Sequence, residues 1–226
     1  MPTSPGLSRK YPHHYLAPRK YALVISCVDC RLLDDLVRFL DHDNLTNRYY
    51  HLTFAGCAIG LNKKAPVYHP TCTQRSAHTC VPFDFSTWKQ ALYDHLKLVL
   101  TLTKGEVTDV YVIEHADCGA YKAFLNVDYY ADTANPDTDA EHNDHHAHAL
   151  ELAKELIEWY DTPAAKALAA DLKKQFGLEE LRPPLVRGFL MDLRGGVERL
   201  FDSPTPGKRA KKARTPAASA DDECYM

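Results

Sequence analysis

Two short stretches hold the residues best suited to chemistry. Cys27, Asp29, Cys30 and Arg31 close the run VISCVDCR, and His115 and Cys118 lie in VIEHADCG. Thiolates and imidazole nitrogens are ordinary zinc ligands, and a catalytic zinc keeps three of them with a fourth position left to water. Cys27, His115 and Cys118 make such a set. Two thiolates and one neutral imidazole leave Zn2+ formally neutral, and the ion lowers the pKa of its water from about 15.7 to about 7, so a hydroxide nucleophile becomes available. Asp29 stands two residues beyond the first ligand, placed to orient that nucleophile by accepting its hydrogen. Arg31 has the planar fork that holds a carboxylate away from direct ligation. A helix beginning after Cys118 favours its thiolate form.

Other uses of the same residues stay open. Cys27 and Cys30 have the spacing of a redox pair, although that leaves His115 and Cys118 without a task. A closed site of Cys27, Cys30, His115 and Cys118 has four suitable ligands, but it strands Asp29 and Arg31. A second group, His69, Cys72, His78 and Cys80, fits no recognised zinc spacing and reads as loop packing or a lid. The stretch HNDHHAH (142–148) offers metal binding or proton transfer near neutral pH, against the plainer reading of a solvated helix start. Asp117 reads as a capping or surface acid and Cys224 as an exposed thiol.

The elements that must position these residues are legible from periodicity. KYALVISC (20–27) and VTDVYVIEH (107–115) are continuous apolar runs of the kind that form strands buried on both faces. RLLDDLVRFLDHD (31–43) places Leu32, Leu33, Leu36, Val37 and Leu40 at helical spacing. YYHLTFAG (49–56) predicts a second strand and 57–85 a long loop. Ser86 is placed to cap a helix over 87–103, with Trp88, Leu92, His95, Leu96 and Val99 on one stripe. An acidic, His-rich loop over 128–148 precedes helices over about 145–160 and 163–176, the second started by Thr162 and Pro163 and stopped by Gly177. Residues 183–201 predict a strand, a Gly-Gly turn and a short strand.

The chain of 226 residues, 45% hydrophobic, suffices for one substantial core. We read 1–19 as an extended Pro-containing arm, 20–202 as the zinc-binding catalytic domain and 203–226 as a disordered basic tail. With 27 Lys and Arg against 30 Asp and Glu, the net charge of -3 argues against nucleic-acid binding. The block GKRAKKAR (207–214) is left as the place where an acidic partner would dock. No stretch has the length of a membrane span or the character of a signal peptide, and seven cysteines at irregular spacing do not form a secreted disulfide framework. The expected location is the cytoplasm.

Taken together, Cys27-x-Asp29-x-Arg31 and His115-x-x-Cys118-Gly119 resemble the β-class carbonic anhydrases, and VRGFLMDLRGGVERL (186–200) is similar to that family's late strand and turn. The resemblance runs in order from about 20 to 201. It implies a three-layer α-β-α domain with a mostly parallel central sheet, and zinc held by Cys27, His115 and Cys118. It further implies an Asp29–Arg31 dyad, reversible hydration of CO2 to bicarbonate, and a homodimer or higher homo-oligomer. In some family members the dyad aspartate ligates the zinc and closes the site. Where the family usually reads Arg-Asn-Ala-Gly-Asn, this chain reads Thr53-Phe54-Ala55-Gly56-Cys57, keeping only Ala-Gly. Hydrolysis of CS2 or COS on the same scaffold, or a non-catalytic zinc protein acting through assembly, are the rival expectations.

Overall fold

The structure is a computed structural model that describes residues 21–62, 86–125 and 127–203. Its centre is a sheet of β1 (Tyr21–Ser26), β2 (Tyr49–Thr53), β3 (Val107–His115), β4 (Leu185–Met191) and β5 (Val197–Asp202), in spatial order β2-β1-β3-β4-β5. The first four strands are parallel and β5 returns antiparallel to β4 across the Gly195-Gly196 turn. β1 and β3 are buried along nearly their whole length. Both are covered on two faces, as their unbroken apolar runs predict.

The helices are α1 (Leu33–His42), α2 (Ala58–Leu61), α3 (Ser86–Leu102), α4 (Gly119–Leu125), α5 (Thr138–Trp159) and α6 (Pro163–Phe176). Phe39 of α1 packs on Tyr111 and Phe189, whereas α5 lies against β3 and β4. Alternate side chains of a strand point to opposite faces. Tyr111 and Glu114, three apart on β3, accordingly meet α1 and α5 on the two sides of the sheet. The result is the expected three-layer α-β-α arrangement. Among the described residues no helix is long and apolar enough to cross a membrane.

Several local expectations need correction. α5 begins at Thr138, because the Asp137 side chain accepts the Ala140 N–H and caps it, so 138–148 is helix and not loop. The four-residue α2 follows Gly56 inside the segment read as loop. On α1 only Leu36 and Leu40 of the helical residues are buried, with Leu33 and Val37 exposed, since a single helix on that face needs a narrower stripe than its sequence offers. His95 faces solvent on α3, and the buried stripe runs Leu92, Leu96, Val99 and Leu100. Thr162 and Gly177 do bound α6, the first accepting the Ala165 N–H and the second taking a φ of 73°.

Candidate metal centre

In parallel sheets, sites form at the carboxyl edge where successive crossovers leave in opposite directions. Here that point lies between β1 and β3, since the chain goes from β1 outward to β2 and then back across to β3. Ser26 at the end of β1 pairs with Ile113. Cys27, just past β1, and His115, at the end of β3, therefore emerge side by side. Past β3, Ala116 N–H is held by the Met191 carbonyl of β4, and Asp117 takes a positive φ of 56°. That turn brings Cys118 back beneath Cys27.

The ligand atoms of Cys27, His115 and Cys118 all lie within 4.8 Å of one another, and all three residues are buried. The two sulfurs are 3.9 Å apart. For comparison, two Zn–S bonds of about 2.3 Å at a tetrahedral angle separate their sulfurs by about 3.8 Å. The His115 Nδ1–H donates to the Ala116 carbonyl at 2.9 Å, which leaves Nε2 as the free lone pair. Nε2 is buried and makes no hydrogen bond. A buried, unpaired nitrogen facing two sulfurs fits a thiophilic metal ion, since soft thiolates and an imidazole together favour such ions over the oxygen-seeking ones.

The two thiols titrate unequally. Its hydrogen bond with Cys118 draws Cys27 below the ordinary thiol range, against the opposing effect of burial and helped by His115 and by the Gly56 N–H, 3.3 Å from its sulfur. Cys118 keeps its proton, pushed far up by the same hydrogen bond and by burial. Burial opposes charge on His115, but the neighbouring Cys27 thiolate outweighs it and raises its pKa. These three residues could hold a divalent cation, whose binding would displace the proton shared by the two sulfurs.

Asp29 and Arg31 flank the cluster. The Arg31 guanidinium donates from Nε to both Asp29 oxygens, at 3.0 and 3.1 Å, and from Nη2 to Oδ2 at 2.7 Å. These bonds hold the Asp29 pKa down to about 2. Oδ2 stands 3.9 Å from His115 Nε2, and Asp29 is not among the three grouped ligands. Arg31 has a second anchor, with Nη1 donating to Asp117 Oδ2 and Nη2 to the Asp117 carbonyl, each at 3.0 Å. Asp117 is thus more than a capping acid: it grips the arginine that grips Asp29. Lys122 neutralises its other oxygen at 2.6 Å, and buried Glu141 of α5 accepts its backbone N–H at 2.6 Å. Asp117, Lys122 and Glu141 were not legible as site residues, because only the helix that brings Glu141 over the loop connects them.

Cys30 is exposed and outside the ligand group, and the partner of the Cys27 sulfur is Cys118. That arrangement supports neither the four-ligand closed site nor a Cys27–Cys30 pair. Among the described residues the histidines of 142–148 do not gather into a metal group. His142 faces Glu198, His146 packs on Phe201, His145 is completely buried, and His148 meets Asn62. His69, Cys72, His78 and Cys80, the arm 1–19, the basic block and Cys224 lie outside the described residues.

No protein-family model matches the chain. An uncharacterized protein of Rickettsia conorii is 23% identical to it over 184 residues, which cover 81% of this chain and 73% of the relative.

Proposed function

We propose that the protein is a zinc enzyme that hydrates CO2 reversibly to bicarbonate, with Cys27, His115 and Cys118 holding the metal. The observation that carries this reading is the juxtaposition of a buried cluster of two sulfurs and one nitrogen with a carboxylate 3.9 Å from that nitrogen, clamped by an arginine. Zinc is the ion that such a ligand set ordinarily takes. When bound, it supplies a nucleophile at neutral pH by acidifying a water, and a Lewis-acid charge to polarise an oxygen. The chain's own residues supply orientation. Asp29, ionised throughout the physiological range, accepts the hydrogen of the nucleophile and directs its lone pair at carbon. Arg31 holds both Asp29 oxygens, so the carboxylate points toward the open position without displacing the nucleophile. Asp117 fixes Arg31 in turn.

The chemistry of Asp29 separates this reading from a purely structural zinc domain. A structural site is closed by four protein ligands, whereas here the carboxylate facing the open side is committed to Arg31. Stopped-flow CO2 hydration on protein with measured zinc content is the test. Activity that rises with zinc occupancy is expected, and a fully zinc-loaded protein inert between pH 7 and 9 overturns the proposal. Sulfide release from CS2 or COS without CO2 hydration transfers the same machinery to the rival substrates.

A further inference from the structure

Behind the ligands lies a polar cluster that the chemistry above leaves unused. Glu114, one residue before His115, is completely buried, as are His145 of α5 and Tyr121 of α4. One Glu114 oxygen accepts the Ala58 N–H at 2.9 Å, and the other accepts His145 Nδ1–H at 3.2 Å. His145 Nε2 and the Tyr121 hydroxyl make no hydrogen bond, and the two rings approach to 3.7 Å. Replacing two buried hydrogen-bonded partners by apolar groups of the same shape can be nearly neutral or stabilising. A pair kept in this position, with unsatisfied atoms beside it, calls for a reason other than stability.

The reason is visible in the turn that Glu114 holds. Between β2 and α2 the backbone passes through Gly56 at φ 73° and Cys57 at φ 45°, ψ -108°, a conformation that side-chain-bearing residues rarely adopt. Such strain persists only where the surroundings over-determine it. The turn is fastened at its start by Phe54 N–H on the Ser26 carbonyl (2.9 Å) and at its end by Ala58 N–H on Glu114. Its tight packing leaves no room for a side chain at Gly56, where an added Cβ meets Ala120 at 2.9 Å. The strained geometry aims the Gly56 N–H at the Cys27 sulfur, 3.3 Å away. Hydrogen bonds to a ligating sulfur orient it and tune the metal it binds.

We propose that Glu114 is a positioning residue for the metal centre: it ties the strained Gly56–Cys57 turn and α5 to the strand bearing His115, and so fixes the N–H···S bond that sets the Cys27 sulfur. This rests on the metal-binding part of the function proposed above. Glu114 touches neither ligand atoms nor substrate and acts through Ala58 and Gly56. Neither Glu114 nor His145 is distinguished in the sequence, where one sits inside a strand and the other inside a His-rich stretch.

The experiment uses the full chain loaded with cadmium-113, read by NMR, alongside zinc competition titrations and the thiolate-to-cobalt charge-transfer band of the cobalt form. In the unaltered protein a scalar coupling between cadmium and the Gly56 amide proton is expected, and its absence overturns the proposal outright. The double variant Glu114→Leu/His145→Leu removes the pair without leaving one partner unsatisfied. It is expected to keep its far-UV circular dichroism, lose the Gly56 coupling, shift the cobalt band and bind zinc about ten- to a hundredfold more weakly. A folded double variant with zinc affinity within about twofold of the parent and an unmoved cobalt band overturns it. Glu114→Gln retains an acceptor for Ala58 and is expected to keep the coupling and affinity, whereas Glu114→Ala removes that acceptor and is expected to lose the coupling. If the double variant fails to fold, a folded Glu114→Ala variant that keeps both the coupling and the affinity overturns the proposal. Protein that binds zinc with the Gly56 coupling but does not hydrate CO2 defeats the enzymatic reading alone; protein that takes up no stoichiometric metal defeats both.

Discussion

At the scale of single residues, the proposed site divides between buried atoms that could hold an ion and rim atoms proposed to orient what meets it. Cys27, His115 and Cys118 are buried, and Asp29 and Arg31 lie at the rim, with the Asp29 side chain 17% and the Arg31 side chain 43% exposed. Exchanging Arg31 for Lys keeps the charge and loses the fork. Arg31→Lys is therefore expected to leave zinc content intact while lowering kcat/KM for CO2 hydration about ten- to a hundredfold, by stopped-flow assay. Cys30→Ser, altering an exposed thiol outside the ligand group, is expected to change neither zinc stoichiometry nor rate. Cys118→Ser removes a ligand, and metal analysis of that variant is expected to find zinc lost. These residue types were recognisable in the sequence because ligand chemistry depends on side-chain identity and on the strand ends that carry it.

At the scale of elements, the loop after β3 is held from above by α5. Glu141 accepts the Asp117 N–H with one oxygen and the Tyr130 hydroxyl with the other, at 2.6 and 2.8 Å. Glu141→Ala leaves a backbone donor without its acceptor, at a cost of about 1–3 kcal/mol, which urea denaturation of the metal-free protein is expected to show. Thr162→Ala, removing the cap of α6 far from the metal, is expected to cost about 1 kcal/mol and leave activity unchanged. The contrast separates an element that positions the loop from one that only completes the fold. Periodicity gave the existence of both helices. It missed the first two turns of α5, whose buried Glu141 and His145 are polar, so no apolar stripe announces them. Their partners, Asp117 and Glu114, lie 24 and 31 residues away.

At the scale of the whole molecule, the proposed zinc site couples metal binding to folding. With free zinc about a thousandfold above its dissociation constant, chelation removes about 4 kcal/mol of stability. For a domain this size that corresponds to a fall in Tm of about 8–16 °C, measurable by calorimetry with and without a chelator. Alkaline pH probes the packing around the tyrosines. Burial, seconded by neighbouring carboxylates, raises Tyr93, Tyr111 and Tyr130 to about 12. Their ordinary value is near 10, so between these pH values the unfolded chain releases protons that the folded one retains. Stability is expected to be insensitive to these groups below about pH 10 and to fall as pH rises from there to about 12. Tyrosine absorbance followed alongside chemical denaturation checks this.

The amino-acid order by itself determined the strand-helix alternation, the apolar runs that become buried parallel strands, and the delivery of Cys27 and His115 to strand ends, because hydrophobic periodicity and turn chemistry are local. Tertiary structure alone decided that β1 and β3 are neighbours at the crossover point, so that Cys27 and Cys118 come within 3.9 Å. It also decided which donors Asp117, Glu141 and Glu114 meet. These carboxylates accept hydrogen bonds from residues far along the chain, and such pairings arise only when the sheet and α5 have packed together.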